Sequence, residues 1–242
     1  MIELTDLTKM YGHTLAVDHL TLTVEKGELF GFIGPNGAGK TTTLRMMAGI
    51  IGATAGAVSL AGIDVAKYPE KAKKMIAFIP DRPFLYEKLT GMEFLGFIGD
   101  LYGVAEEDFS ARAKELLQRF SLCDWGDHLI ESYSHGMKQR LIIASALLHD
   151  PEIIIVDEPM VGLDPAGIRL VKNIFRGLAD QGVTIFMSTH TLEIAEDLCD
   201  RIGIIHQGRM IALGTTGDLK GTVRLSEGDL EEVFLRLTGK GE

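Results

Sequence analysis

The sequence predicts an α/β fold: a core with a mostly parallel sheet, an N-terminal antiparallel β subdomain and a helical insertion. Three observations carry this prediction. Short apolar runs at residues 29–33, 153–156, 183–188 and 202–205 alternate with helix-period segments, the pattern of a parallel sheet covered on both faces. A glycine-rich turn, Gly34-Pro35-Asn36-Gly37-Ala38-Gly39-Lys40-Thr41-Thr42, joins the first run to the helix-compatible segment Leu44-Arg45-Met46-Met47-Ala48. Between residues 86 and 148 the apolar spacing turns from strand-like to helical.

Taken in order, residues 1–30 alternate weakly and carry turn signals at Gly12-His13 and Lys26-Gly27, so they read as strands leading into residues 29–33. Ala57-Val58-Ser59-Leu60, then Gly62, is another short strand and turn. Met75 to Ile79 is a buried strand stopped by Pro80. Phe109, Ala113, Leu116, Leu117 and Phe120 share one helix face. Thr90 to Ile98 and Met137 to Leu148 also suit helices, which makes the insertion span about 86–148. Helical patterns at Ile168 to Leu178 and Leu192 to Leu198 separate the later strands. The tail from Ser226 to Leu237 is expected to form an amphipathic helix, with acid at 229–232 in its first turn and Val233, Phe234 and Leu237 on its apolar face.

The totals narrow the function classes. At 242 residues the chain can build one large domain or two modest ones. A net charge of −10 makes it a poor non-specific binder of nucleic acid or of an anionic membrane surface. Cys123 and Cys199 have no metal-ligand spacing and read as ordinary thiols of a reducing compartment. His128, His135, His149 and His206 likewise show no ligand spacing. The start, Met1 to Asp6, lacks a basic region followed by an apolar core, and no segment approaches the roughly 20 apolar residues of a membrane span. A cytoplasmic location is the expectation.

Two motifs carry chemistry. Strand, glycine-rich turn and helix N-terminus are the context of a phosphate-binding P-loop. Glycines 34, 37 and 39 let backbone N–H groups turn inward. Lys40 is placed to reach the β- and γ-phosphates of a nucleoside triphosphate, and Thr41 to put its hydroxyl on Mg²⁺. The second motif is the run Ile153-Ile154-Ile155-Val156 ending in Asp157-Glu158. Two acids at the end of a buried strand cost desolvation unless something compensates them. In P-loop proteins the first holds the metal and its neighbour polarises the attacking water.

With those residues in place, the chain resembles the nucleotide-binding subunit of an ATP-binding cassette transporter. Tyr133-Ser134-His135-Gly136-Met137-Lys138-Gln139-Arg140-Leu141 resembles the family's signature motif. Gly162-Leu163-Asp164-Pro165 resembles its D-loop, Ser188-Thr189-His190 its switch histidine, and Lys9-Met10-Tyr11-Gly12 its A-loop, whose aromatic stacks on adenine. Phe78-Ile79-Pro80-Asp81 stands where the family carries its Q-loop. The resemblance runs from about Ile2 to Gly214, with the motifs in family order. Asp81 replaces the usual glutamine or glutamate; its carboxylate suits Mg²⁺ on a stem one methylene shorter. Tyr133, His135 and Met137 replace leucine, glycine and glutamine, in a variant that resembles the export-type branch, as does the ending from Leu230 to Gly239.

The resemblance implies an ATPase domain over 1–215 and a helical tail over 216–242. It implies Glu158 and His190 as the catalytic pair. Thr41, Asp157 and Asp81 would serve Mg²⁺, and Tyr11 with residues 34–42 would hold ATP. Ser134 and Gly136 would face the γ-phosphate held by a second cassette, so that ATP joins two subunits head to tail. A separate membrane permease would meet the helical insertion and the Q-loop, leaving this subunit peripheral on the cytoplasmic face. Two other classes differ in what they need. A cassette ATPase acting on DNA or ribosomes usually carries two cassettes or a long coiled coil, and a small P-loop kinase or GTPase has no use for the signature or switch motifs.

Overall fold

In the computed structural model, which describes residues 1–222 and 230–238, the strand Ile153–Asp157 shows why the sequence reads as it does. Ile153 and Ile155 enter one hydrophobic core, Ile154 and Val156 another on the opposite face. Both faces of this strand are covered, so it is continuously apolar rather than alternating.

The elements follow in chain order. β1 (Ile2–Tyr11) and β2 (Thr14–Val24) form a hairpin, then β3 (Leu29–Ile33) leads through the glycine-rich turn into α1 (Lys40–Met47). β4 (Ala55–Leu60), β5 (Ile63–Asp64), α2 (Pro69–Met75) and β6 (Ile76–Ile79) precede the insertion. The insertion holds α3 (Gly91–Tyr102), α4 (Glu106–Arg119) and α5 (His135–Ala146), with 3₁₀ turns at Cys123–Trp125 and Ile130–Ser132. β7 (Ile153–Asp157), α6 (Pro165–Asp180), β8 (Thr184–Thr189), α7 (Leu192–Leu198), β9 (Arg201–His206) and β10 (Arg209–Gly214) complete the core; α8 (Thr216–Thr222) and α9 (Leu230–Thr238) follow.

The strands form two sheets. One is antiparallel with order β2-β1-β4-β5. The other has order β10-β9-β3-β8-β7-β6 and is parallel except where β10 pairs antiparallel with β9. The antiparallel sheet, α1 and one face of the large sheet share a core that includes Leu4, Leu22, Leu44, Phe32, Phe186 and Ile155. The other face packs Ile154, Val156 and Met187 against apolar residues of α3 to α6, among them Leu95, Leu117, Ile143 and Phe175. The predicted α/β class, antiparallel subdomain and helical insertion are all present.

Four local features differ from the sequence reading. α2 is a helix where only a strand at Met75 to Ile79 was expected, and the strand begins at Ile76. β10 adds an unforeseen edge strand. α5 begins two residues earlier than expected, capped by Ser134. In the tail, the expected helix at 226–237 is described from Leu230 onward; Asp229 lies outside the described residues, as do the side chains of Val233 and Leu237. Phe234 packs against the small core of Ile33, Ala195, Ile202, Ile204 and Leu219.

Candidate functional site

The carboxyl ends of β3, β7 and β8 lie side by side, which brings three sequence-distant segments to one edge of the sheet. The loop after β3 needs its glycines: φ is +79° at Gly37 and +109° at Gly39, a region that side chains disfavour. A Cβ on Gly39 would sit 2.5 Å from the Ala16 carbonyl, and one on Gly34 would overlap the Ile205 carbonyl. No side chain caps α1, so its first N–H groups point into the loop as free donors, the arrangement that binds anions. Asn36 and Gly37 are exposed at the loop's tip, while Gly34 and Ala38 are buried beneath it; Pro35 accepts from the Ala38 N–H at 3.1 Å.

Lys40 is buried, and its ammonium donates to the Gly34 carbonyl at 2.6 Å and to the Pro35 carbonyl at 3.3 Å. Burial lowers its pKa, while the charges of Glu158 and Asp157 pull it back up. A phosphate oxygen is a stronger acceptor than a carbonyl because it is charged. The ammonium is therefore held where a nucleotide's phosphates would draw it across.

Beside it, the Thr41 hydroxyl donates to Asp157 Oδ2 at 2.7 Å, and the Ser188 hydroxyl donates to Asp157 Oδ1. Asp157 is 2% exposed. These two hydroxyls and the nearby Lys40 ammonium compensate a carboxylate that burial alone would penalise. The sequence pointed to Thr41 and Asp157. Ser188 entered the sequence reading only as the first residue of the switch-histidine motif, with no role for its hydroxyl.

Glu158 stands at the next position with φ +51°, a left-handed turn that swings its side chain out of the strand's alternation. Its carboxylate accepts from the Thr189 hydroxyl at 3.2 Å and meets His190 Nδ1 at 2.7 Å. The backbone is fixed as well, since the Glu158 N–H donates to the Ser188 carbonyl at 3.0 Å. The Glu158 side chain is 13% exposed and that of His190 is 60% exposed, so a largely sheltered carboxylate lies beneath an accessible imidazole. This pair can hold a water and accept a proton.

The remaining candidates lie elsewhere. Tyr11 ends β1, half-exposed, with the Lys9 ammonium 5.1 Å from its ring centre. Asp81 forms an ion pair with Arg82 at 3.9 Å and lines a groove of about 760 Å³ bounded by residues 81–89 and the start of α5. Among the described residues no hydrogen bond joins Asp81 to Thr41 or Asp157. Ser134 caps α5, accepting from the Met137 N–H at 3.2 Å. Gly136 sits against Gly162, where a Cβ would meet the Gly162 carbonyl at 3.3 Å. No hydrogen bond among the described residues ties Ser134 or Gly136 to the glycine-rich loop; Ser134 is exposed and Gly136 is half-buried against Gly162. Tyr133 is buried, and its hydroxyl donates to the Trp125 carbonyl at 2.6 Å where Gly91 leaves it room.

The residues present fit a magnesium nucleotide. The donors at Thr41 and Asp157 are all oxygen, as Mg²⁺ requires, and among the described residues no cluster of three or more His, Cys, Asp or Glu could hold a metal unaided. Mg²⁺ commonly takes one or two protein oxygens and completes its shell with phosphates and water.

Comparison with known proteins agrees with this geometry. The ABC transporter family model matches residues 17–161. The chain is 38% identical over 241 residues to the linearmycin resistance ATP-binding protein LnrL of Bacillus subtilis (strain 168), covering 97% of this chain and 78% of that one. It superposes on a solved ATP-binding subunit of an ABC transporter with a TM-score of 0.91 at 35% identity, covering 98% and 99% of the two chains. A dimeric ATP-binding cassette in a post-hydrolysis state with ADP and Pi matches with a TM-score of 0.78 at 25% identity, covering 89% and 98%. Glycine-rich cradle, buried lysine, paired acids and family match converge: the chain belongs to the ABC transporter family, as an ATP-binding subunit with ATPase activity.

Proposed function

We propose that this subunit drives export through a separate membrane permease, using ATP that binds across a dimer of cassettes. The observation that carries the reading is the convergence of Lys40, Thr41, Asp157, Glu158 and His190 at one sheet edge. The nucleotide-binding unit is residues 1–215, with 216–242 as a helical appendage. Residues 34–42 cradle the phosphates and Tyr11 stacks on adenine. Thr41, Asp157 and Asp81 would hold Mg²⁺. Mg²⁺, when bound, supplies charge neutralisation to the β- and γ-phosphates. Glu158 orients a water and takes its proton as the water oxygen attacks the γ-phosphorus and the bond from that phosphorus to the β–γ bridging oxygen breaks, so that ADP leaves with the bond's electron pair and inorganic phosphate is formed; His190, hydrogen-bonded to Glu158, holds that carboxylate in place and faces the transferred phosphoryl group. Lys40 and the α1 N–H groups stabilise the negative charge.

Ser134, Gly136 and the α5 N-terminus present a hydroxyl, free N–H groups and a positive dipole end to a second subunit's γ-phosphate. The permease is expected at the groove near residues 81–89, where Phe84 and Tyr86 are exposed, which would keep the subunit peripheral on the cytoplasmic face. The translocation path is assigned to that other chain; among the described residues no helix is long and apolar enough to cross a membrane. The resistance function in the name of LnrL and the export-type signature favour the outward direction.

The test is Glu158→Gln. The amide keeps the size of the side chain but accepts a proton poorly, so phosphate release should fall at least about a hundredfold with ATP binding retained. Wild-type turnover in this variant would remove Glu158 from the proposed role.

A further inference from the structure

Three contacts tie the first turn of α5 to the loop that leaves Glu158. Gln139 Nε2, buried, donates to the Pro159 carbonyl at 3.2 Å. Gly136 abuts the Gly162 carbonyl. The His135 ring lies so close over Gly162 that a Cβ there would overlap Cδ2 and Nε2 of the imidazole. Gly162 has φ +79° as well. Within the loop, the Val161 N–H donates to the Glu158 carbonyl and the Leu163 N–H to the Met160 carbonyl, each at 3.3 Å, while Met160 is buried in the core and Leu163 packs against it. Val161 is 45% exposed. Anchored at Met160 and Leu163, the loop exposes its tip at Val161 and Gly162, and there the His135 ring is the side chain pressed against it.

His135 also belongs to a second surface. With Lys138, Gln139 and Val161 it forms one wall of the groove whose other wall is residues 81–89. One ring thus touches the groove on one side and the loop following the catalytic carboxylate on the other. Lys138 is anchored across the groove to Glu87, which gives the two walls a direct link.

We propose that His135 is a positioning residue: its ring fixes loop 159–163, and through it Glu158, relative to α5, so that whatever fills the groove is felt at the site of hydrolysis. The inference rests on Glu158 acting as the water-orienting carboxylate. It assigns a task to the one signature position where this chain carries an imidazole, and it makes Gly162 obligatory for a reason specific to this chain: the ring occupies the space of a side chain.

The test uses full-length protein with His135→Ala, His135→Phe, Gly162→Ala and the double variant His135→Ala/Gly162→Ala, with Glu158→Gln as a control. Hydrogen exchange of the amides at 159–163 should speed up about fivefold or more in His135→Ala, with little change in core strands β7 and β8. Turnover should fall roughly tenfold, since small misplacement of a reacting group is costly, while the affinity for ATP by nucleotide titration stays within about twofold of wild type. His135→Phe, which keeps a flat ring over Gly162, should restore slow exchange. Gly162→Ala should be damaging alone and partly relieved by His135→Ala, because removing the ring opens the space. Unchanged exchange at 159–163 in His135→Ala, or no relief in the double variant, would overturn the proposal. If Glu158→Gln hydrolyses ATP like wild type, the failure lies in the reading of Glu158 instead.

Discussion

Lys40 sits in a conflict that its binding role resolves. Burial disfavours its charge, the two acids at the end of β7 favour it, and the ammonium spends its hydrogen bonds on carbonyls of its own loop. Lys40→Ala removes a charged donor from the phosphates, and hydrogen bonds to charged groups are worth about 1.5–3 kcal/mol. ATP affinity is therefore predicted to fall roughly ten- to hundredfold, read by fluorescent nucleotide titration; wild-type affinity would leave Lys40 as a loop clamp alone. Tyr11 is a separate case because it stands half-exposed at the end of β1. An aromatic stacked on a base is worth about 1–3 kcal/mol. Tyr11→Ala should weaken ATP binding roughly tenfold, whereas Tyr11→Phe and Tyr11→Trp should bind as wild type. Equal binding by the alanine variant would show that the ring serves the β1–β2 turn and not adenine.

Among the elements, the junction of the helical insertion with the sheet edge holds a titratable group. His149 follows α5, stacks on Tyr102 of α3 with ring centres 3.8 Å apart, and its Nε2 lies 3.0 Å from the Ile76 carbonyl at the start of β6. Its Nδ1 is buried with no hydrogen-bond partner among the described residues, so the neutral ring with hydrogen on Nε2 fits the site. Burial lowers the pKa, opposed by the Ile76 carbonyl and by Asp150; Asp150 is itself paired with Arg112. A histidine whose folded pKa is lowered binds fewer protons folded than unfolded. Its contribution to stability is complete above the ordinary value of 6.5 and is lost as pH falls through the lowered folded value. Thermal melts from pH 7.5 down to 5 should show wild type losing stability more steeply than His149→Phe, which keeps the stack and cannot titrate. Parallel slopes for the two proteins would contradict this.

The same scale shows what could be read from the chain. The buried strands announced themselves because both their faces are covered, and the insertion because α4 presents a regular apolar stripe. α2 did not, since only Ala72 of its seven residues is buried and Pro69 masks its start. β10 did not, because it is an edge strand with no fully buried residue and hence no apolar run. At the site, the glycine-rich turn and the paired acids were legible because each is contiguous. The hydroxyls of Ser188 and Thr189 were not, because their closeness to Asp157 and Glu158 depends on β8 being the neighbour of β7, which is a property of sheet order. The contact of His135 with Gly162 was hidden for the same reason: it joins two segments 27 positions apart that meet only when α5 packs beside the loop after β7.

At the scale of the whole molecule, the site is divided. Residues 34–42, Asp157, Glu158 and His190 gather at one edge, while Ser134 and Gly136 lie at the α5 N-terminus, Ser134 exposed, with no hydrogen bond to that cluster among the described residues. The proposed account completes one ATP site with the signature motif of a second cassette, and anything that binds only the dimer shifts the equilibrium toward it by mass action. The most direct measurement is sedimentation of Glu158→Gln with and without Mg²⁺-ATP, beside the same protein also carrying Ser134→Arg. The account predicts a monomer without nucleotide, a dimer with ATP, weaker association with ADP, and loss of the ATP-induced dimer in the Ser134→Arg protein although each chain still binds nucleotide. A Ser134→Arg protein that dimerises with ATP as its parent does would contradict it, because the shared site would then not include the signature motif.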